Sequence, residues 1–135
     1  MEPVKSMEQV IRDDGRYPPD AFAFLHEGLT KAVKAVHGQP EQETSPRRHV
    51  TGKQLCESLR DLAMGRWGML AKLVLSRWNI RSTTDFGNMV YLLVNNGFMR
   101  KTDEDSLEDF RDVYDFTAAF DFKDQFDIIG NEQSQ

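Results

Sequence analysis

Apolar residues recur at intervals of three and four over most of this chain, and clusters of Gly, Pro and Asp cut the pattern into five segments that each predict an α-helix. Val4, Met7, Val10 and Ile11 mark a short amphipathic helix that stops at Asp13, Asp14 and Gly15. Pro18 and Pro19 preset the start of a second, whose apolar stripe runs through Phe22, Leu25, Leu29, Ala32 and Val36. Gly28 lies inside it, where glycine costs about 1 kcal/mol relative to alanine. The position marks either a close approach by another element or a tolerated imperfection. Thr51 is placed to cap a third helix with Leu55, Leu59, Leu62 and Ala63 on one face and Gly65 at its end. The fourth runs from about Met69 to Trp78, with Leu70, Leu73, Val74 and Trp78 facing inward and Lys72, Ser76 and Arg77 wet. The fifth starts at Ser82 or Thr83, carries Asp85 in its first turn, and buries Phe86, Met89, Val90, Leu93 and Val94 before Gly97.

Between the second and third helices, residues 38–49 read GQPEQETSPRRH, polar and proline-containing, which predicts a solvated loop. After Gly97 the helical period fades. Phe98 to Lys101 reads as a short strand, Thr102 to Ser106 as a turn, and Asp109 to Phe116 as a return strand, while Phe116, Ala119 and Phe120 equally fit a last helical turn. The expected architecture is therefore mainly α with a small β-hairpin, a single helical domain over residues 1–129, and a disordered tail over 130–135. The order of helices and hairpin in residues 51–114, with LAKLVLSRWNI followed by TTDFGNMVYLLVNNGFMRK, resembles a winged-helix domain. That resemblance implies a recognition helix over 83–96 and a wing after it. The phrases DGRYPPDAFAFLHEGL, RHVTGKQL and DFRDVYDFTAAFD resemble an uncharacterised family of short bacterial proteins, which implies one domain of shared architecture and no particular activity.

Charge divides the chain in two. Residues 1–101 hold fifteen Lys and Arg against eleven Asp and Glu, whereas 102–135 hold two against eleven. Within 102–127 stand ten carboxylates and six aromatic rings, an acidic aromatic segment that must dock on the body or on a partner. The longest apolar run, Met89 to Val94, has six residues, against the ~20 of a membrane-spanning helix. Met1 to Lys5 lack the apolar core of a signal peptide, and the lone Cys56 suits a reducing compartment, so a cytoplasmic location without membrane contact is expected.

Catalytic and metal chemistry find little support. His26 and His37 are eleven residues apart, too far along one helix to share a metal, and His49 has no Cys beside it. Asp103, Glu104 and Asp105 fail the EF-hand pattern, because Glu108 stands where Gly is required and Tyr114 where the bidentate acid is required. Cys56 falls on the buried side of its helix and reads as a core residue. Gly65-Arg66-Trp67-Gly68 reads as a helix end and tight turn rather than a nucleic-acid loop. No catalytic residue, cofactor or metal ligand is therefore assigned.

Two binding readings follow. In the first, the protein is a non-enzymatic protein-interaction or regulatory module, with Tyr114, Phe116 and Phe120 as anchors for a protein partner. In the second, Arg47, Arg48, Lys53, Arg77, Arg81, Asn88, Arg100 and Lys101 form a nucleic-acid-binding surface that the acidic segment covers in autoinhibition. Major-groove reading is disfavoured, because no Lys or Arg lies between Arg81 and Arg100 and the wing tip would be Asp103, Glu104 and Asp105. A structural reading of the segment, with rings buried against the body and carboxylates at the rim, stands beside both.

Overall fold

The expected helix starts carry side chains that satisfy their first amide groups. Thr51 and Gln54 form a reciprocal capping box, the Gln54 amide donating to Thr51 Oγ1 (3.1 Å) and the Thr51 amide to Gln54 Oε1 (2.9 Å). Ser6 accepts from the Gln9 amide in the same way. The computed structural model describes residues 5–38 and 49–120. Among these residues it contains α1 (Met7–Asp14), α2 (Pro19–His37), α3 (Gly52–Trp67), α4 (Ala71–Arg77), α5 (Thr83–Asn95) and α6 (Phe116–Ala119), with 3-10 turns at Gly68–Leu70 and Leu107–Phe110. The expectations for Val4, for Arg47, Arg48 and the rest of 39–48, and for everything after Phe120 lie outside the described residues. No helix of the described residues is long and apolar enough to cross a membrane.

α3 lies at the centre, touching α2, α4, α5 and the 107–110 turn. Its closest neighbour approaches at Gly28 of α2. A Cβ there would stand 2.2 Å from Leu59 Cδ2, and the Gly28 carbonyl accepts a 2.8 Å hydrogen bond from the buried Ser58 hydroxyl. Gly28 therefore marks a close approach. Around the helix crossing, Phe24 meets Trp67 and Trp78 at ring-centroid distances of 5.2 and 5.7 Å. On α2 the buried face is broader than the stripe read from the sequence: Ala21 and Phe24 join it, while Val36 is exposed.

α4 and α5 both end in Schellman motifs. At the first, Asn79 takes the left-handed conformation (φ 65°), the Asn79 amide donates to Ser76 O and the Ile80 amide to Leu75 O, and Ile80 and Leu75 are both fully buried. At the second, Gly97 (φ 82°) donates to Val94 O and Phe98 to Leu93 O. The inward face of α4 differs from the expected one. Ala71 and Leu75 are buried, whereas Met69, Leu70 and Leu73 are more than half exposed. Gly68 (φ 53°) and the 3-10 turn over Gly68–Leu70 place Leu70 ahead of α4, outside the helix whose stripe it was expected to share.

No strand occurs among the described residues, which overturns the expected β-hairpin and with it the wing of the winged-helix comparison. The physical reason is competition for backbone groups. Asp105 Oδ2 accepts from the Thr102 amide (2.8 Å), Asp109 Oδ2 from Ser106 (2.9 Å) and Asp115 Oδ2 from Ala118 (3.0 Å). The Val113 amide donates to the Thr83 hydroxyl. Of the donors in the two expected strands, the Phe98 amide goes to Leu93 O, Asp109 to Ser106 O, Arg111 to Glu108 O and Val113 to the Thr83 hydroxyl, so no ladder forms, and the Asp caps hold the flanking turns in this course. What remains is a 3-10 turn, a bend with Asp112 at φ 49°, and the single helical turn of α6.

Two of the glycines inside helices, Gly65 and Gly28, give opposite expectations. Gly65 has nothing within 4 Å of an added Cβ, so Gly65→Ala stabilises by about 1 kcal/mol through helix propensity. Gly28→Ala drives a methyl into a side chain that is itself fully buried, and overpacking of about 1–3 kcal/mol or more outweighs the same gain. Urea unfolding followed by Trp fluorescence should therefore move the midpoint up for the first and down for the second; two upward shifts would contradict the helix crossing described.

Candidate functional site

The acidic aromatic segment, as far as Phe120, belongs to the core. Phe110, Phe116 and Phe120 are 5%, 4% and 2% exposed, so Phe116 and Phe120 are not available as surface anchors in the folded chain. Tyr114 is half-buried, stacks on Phe116 (5.9 Å, 24°) and donates to the Cys56 carbonyl at 2.6 Å. Phe116 also meets Phe86 of α5 at 5.9 Å and Phe120 at 5.1 Å. The segment is held to α5 by Thr83, fully buried, whose hydroxyl donates to the Phe110 carbonyl (2.6 Å) and accepts from the Val113 amide (3.2 Å). Gly87 makes room one turn on: a Cβ there would stand 2.7 Å from Phe110 Cβ. The Ser82-Thr83-Thr84-Asp85 start of α5 was visible in the sequence, but not that Thr83 would face inward.

The residues of the nucleic-acid reading do not converge. Arg77 and Arg81 lie before α5, and Arg100 and Lys101 after its thirteen residues, about 20 Å of helix at 1.5 Å per residue. Lys53 shares a shallow polar groove with Asp103 and Glu104. Asn88 donates to the Tyr17 hydroxyl (3.2 Å), which in turn donates to Asp85 Oδ1 (2.6 Å), so its amide serves an internal network. Arg47 and Arg48 lie outside the described residues.

Two features remain as places for a partner or ligand. The first is the corner between α3 and α4, where Met69, Leu70 and Leu73 are 55%, 55% and 52% exposed. Lys72 between them is tied to Thr117 (2.9 Å). The second is a cavity of about 280 Å³ bounded by α2, the start of α3, the far half of α5 and residues 99–110. Leu29, Val33, Leu55, Val90, Val94 and Met99 give it an aliphatic wall. At its rim His49 Nε2 meets Asp105 Oδ1 at 3.0 Å, and His37 Nε2 makes a close contact with the His49 carbonyl. Asp105 lies fifty-six residues from His49, so no local pattern exposes the pair. Among the described residues, no three His, Cys, Asp or Glu side chains gather as a metal-binding group. Searches against protein-family models, curated proteins and solved structures find no match to this chain.

Burial sets the protonation of the interior groups. It pushes the Cys56 thiol up to about 12, aided by the nearby Glu57 charge, and the Tyr17 phenol to about 12, aided by its bond to Asp85. Burial likewise raises Tyr114. Each group holds its proton more tightly folded than unfolded, where Cys and Tyr titrate near 8.5 and 10. Their contribution to stability is thus complete below about pH 8.5 and lost as pH rises through about 12. Unfolding free energy measured from pH 7 to 11 should begin to fall near pH 9, and in Cys56→Ala only near pH 10. A flat profile to pH 11 would contradict the burial of these groups.

Proposed function

We propose that this protein is a non-catalytic protein-interaction module that docks a partner through the apolar corner of Met69, Leu70 and Leu73, not through its aromatic rings. The observation that carries the reading is the exposure of three large aliphatic side chains, each more than half open, on adjoining helical positions. Met69 and Leu70 stand in the 3-10 turn and Leu73 in the first turn of α4, so the three fall within five residues at the α3–α4 corner and form what we call the ridge. A ridge of this kind suits a partner that supplies an apolar groove. Burying one such side chain contributes roughly 1.5–3 kcal/mol, enough for a few of them to anchor a contact. The nucleic-acid reading is less well supported, because its cations divide between the two ends of α5.

The test is a double variant, Leu70→Glu with Leu73→Glu, at positions whose exposure leaves the fold intact. Proteins captured by the full chain from an extract of its natural host are identified, purified and titrated against both forms. The proposal expects unchanged thermal unfolding and at least a tenfold loss of affinity for the partner. Equal affinity of the two forms would rule the ridge out.

A further inference from the structure

We propose that the cavity between α2, α3 and α5 is a binding site for a small aliphatic carboxylate with a chain of about eight carbons. The inference stands on the cavity alone and is independent of the ridge.

The size and the chemistry of the walls select the chain. An apolar cavity of about 150 Å³ accommodates benzene, so about 280 Å³ holds about twice as much hydrocarbon. The surfaces contributed by Leu29, Val33, Val90 and Val94 are branched aliphatic, which fits a flexible alkyl chain better than a planar ring. Tyr91 and Phe110 close one side, edge to face at 6.5 Å.

The rim selects the head group. Its two carboxylates already accept hydrogen bonds: Asp105 from His49 and the Thr102 amide, Asp109 from the Ser106 amide. Arg100 and Lys101 line the same cavity, are exposed, and make no ion pair with another described residue. Cations with no ion-pair partner among the described residues, at the mouth of an apolar cavity, favour an anion whose tail enters it, and a hydrogen bond with a charged partner is the stronger kind. An ammonium head group would meet the two cations at the same mouth.

The experiment titrates the full chain with straight-chain carboxylates of four to twelve carbons, and with octanol and octylamine, each below its micellar concentration. Binding is read by calorimetry and by amide chemical shifts. The proposal expects affinity to rise about fourfold per methylene and to level off near eight carbons, with shifts centred on Val33, Tyr91 and Val94. It expects octanoate to bind at least tenfold tighter than octanol or octylamine. Arg100→Gln with Lys101→Gln, both exposed and removable without disturbing the core, should bring octanoate down to the level of octanol while unfolding is unchanged. Absence of octanoate binding, equal binding of the three head groups, an affinity that keeps rising past ten carbons, or shifts centred on Met69 to Leu73 would each overturn it.

Discussion

The Thr83 hydroxyl is the point on which the rest of the structure turns. Fully buried at the start of α5, it bridges the Phe110 carbonyl and the Val113 amide, and so fixes the path of the chain where the acidic segment first meets the helices. The bareness of Gly87 lets the Phe110 side chain come against α5. From there the segment crosses to α3, where Tyr114 reaches the Cys56 carbonyl, and ends with Phe116 and Phe120 packed beneath it. A buried hydroxyl without partners would cost about 1–3 kcal/mol, so Thr83 is compatible with the core only while the segment is docked.

This arrangement resolves the contradiction of a segment both highly charged and highly aromatic. As far as Phe120, the rings of Phe110, Phe116 and Phe120 supply the burial, and three of the carboxylates cap the local turns. Asp105, Asp109 and Asp115 each accept a backbone amide within three residues. Three of the charges that make this part of the chain acidic are thereby tied to how its turns are built. With Phe110, Phe116 and Phe120 inside, the aliphatic ridge at the α3–α4 corner and the cavity beside His49 and Asp105 stand out among the outward features of the described residues.

The helices were legible in the sequence because their signals are local. Thr51 with Gln54, Asp85 after Ser82, and Gly97 after Val94 all act within one turn. Among the readings that differ from the structure, two have identifiable local reasons. The expected inward face of α4 differs from the observed one because Leu70 stands in the 3-10 turn ahead of the helix, and with aliphatic residues at 73, 74 and 75 spacing alone does not choose the face. The hairpin was expected because Phe98 to Phe116 has strand-like residues, yet Thr102 with Asp105 and Ser106 with Asp109 carry the spacing of helix-start caps, and that signal decided the outcome. The cavity was not legible at all. Its rim joins His49 to Asp105 and its walls come from α2, α3 and α5, so it exists only once the distant parts of the chain have packed.

If the segment from Ser106 to Phe120 is part of the cooperative core, its amides must open only when the helices do. Native-state hydrogen exchange measures this directly. The account predicts that the Val113 amide, held by Thr83, and the Phe120 amide, held by Phe116 O, exchange with an opening free energy close to that of buried α5 positions such as Val90 and Leu93. Exchange of Val113 and Phe120 at the rate of an unstructured peptide, while Val90 and Leu93 stay protected, would contradict it.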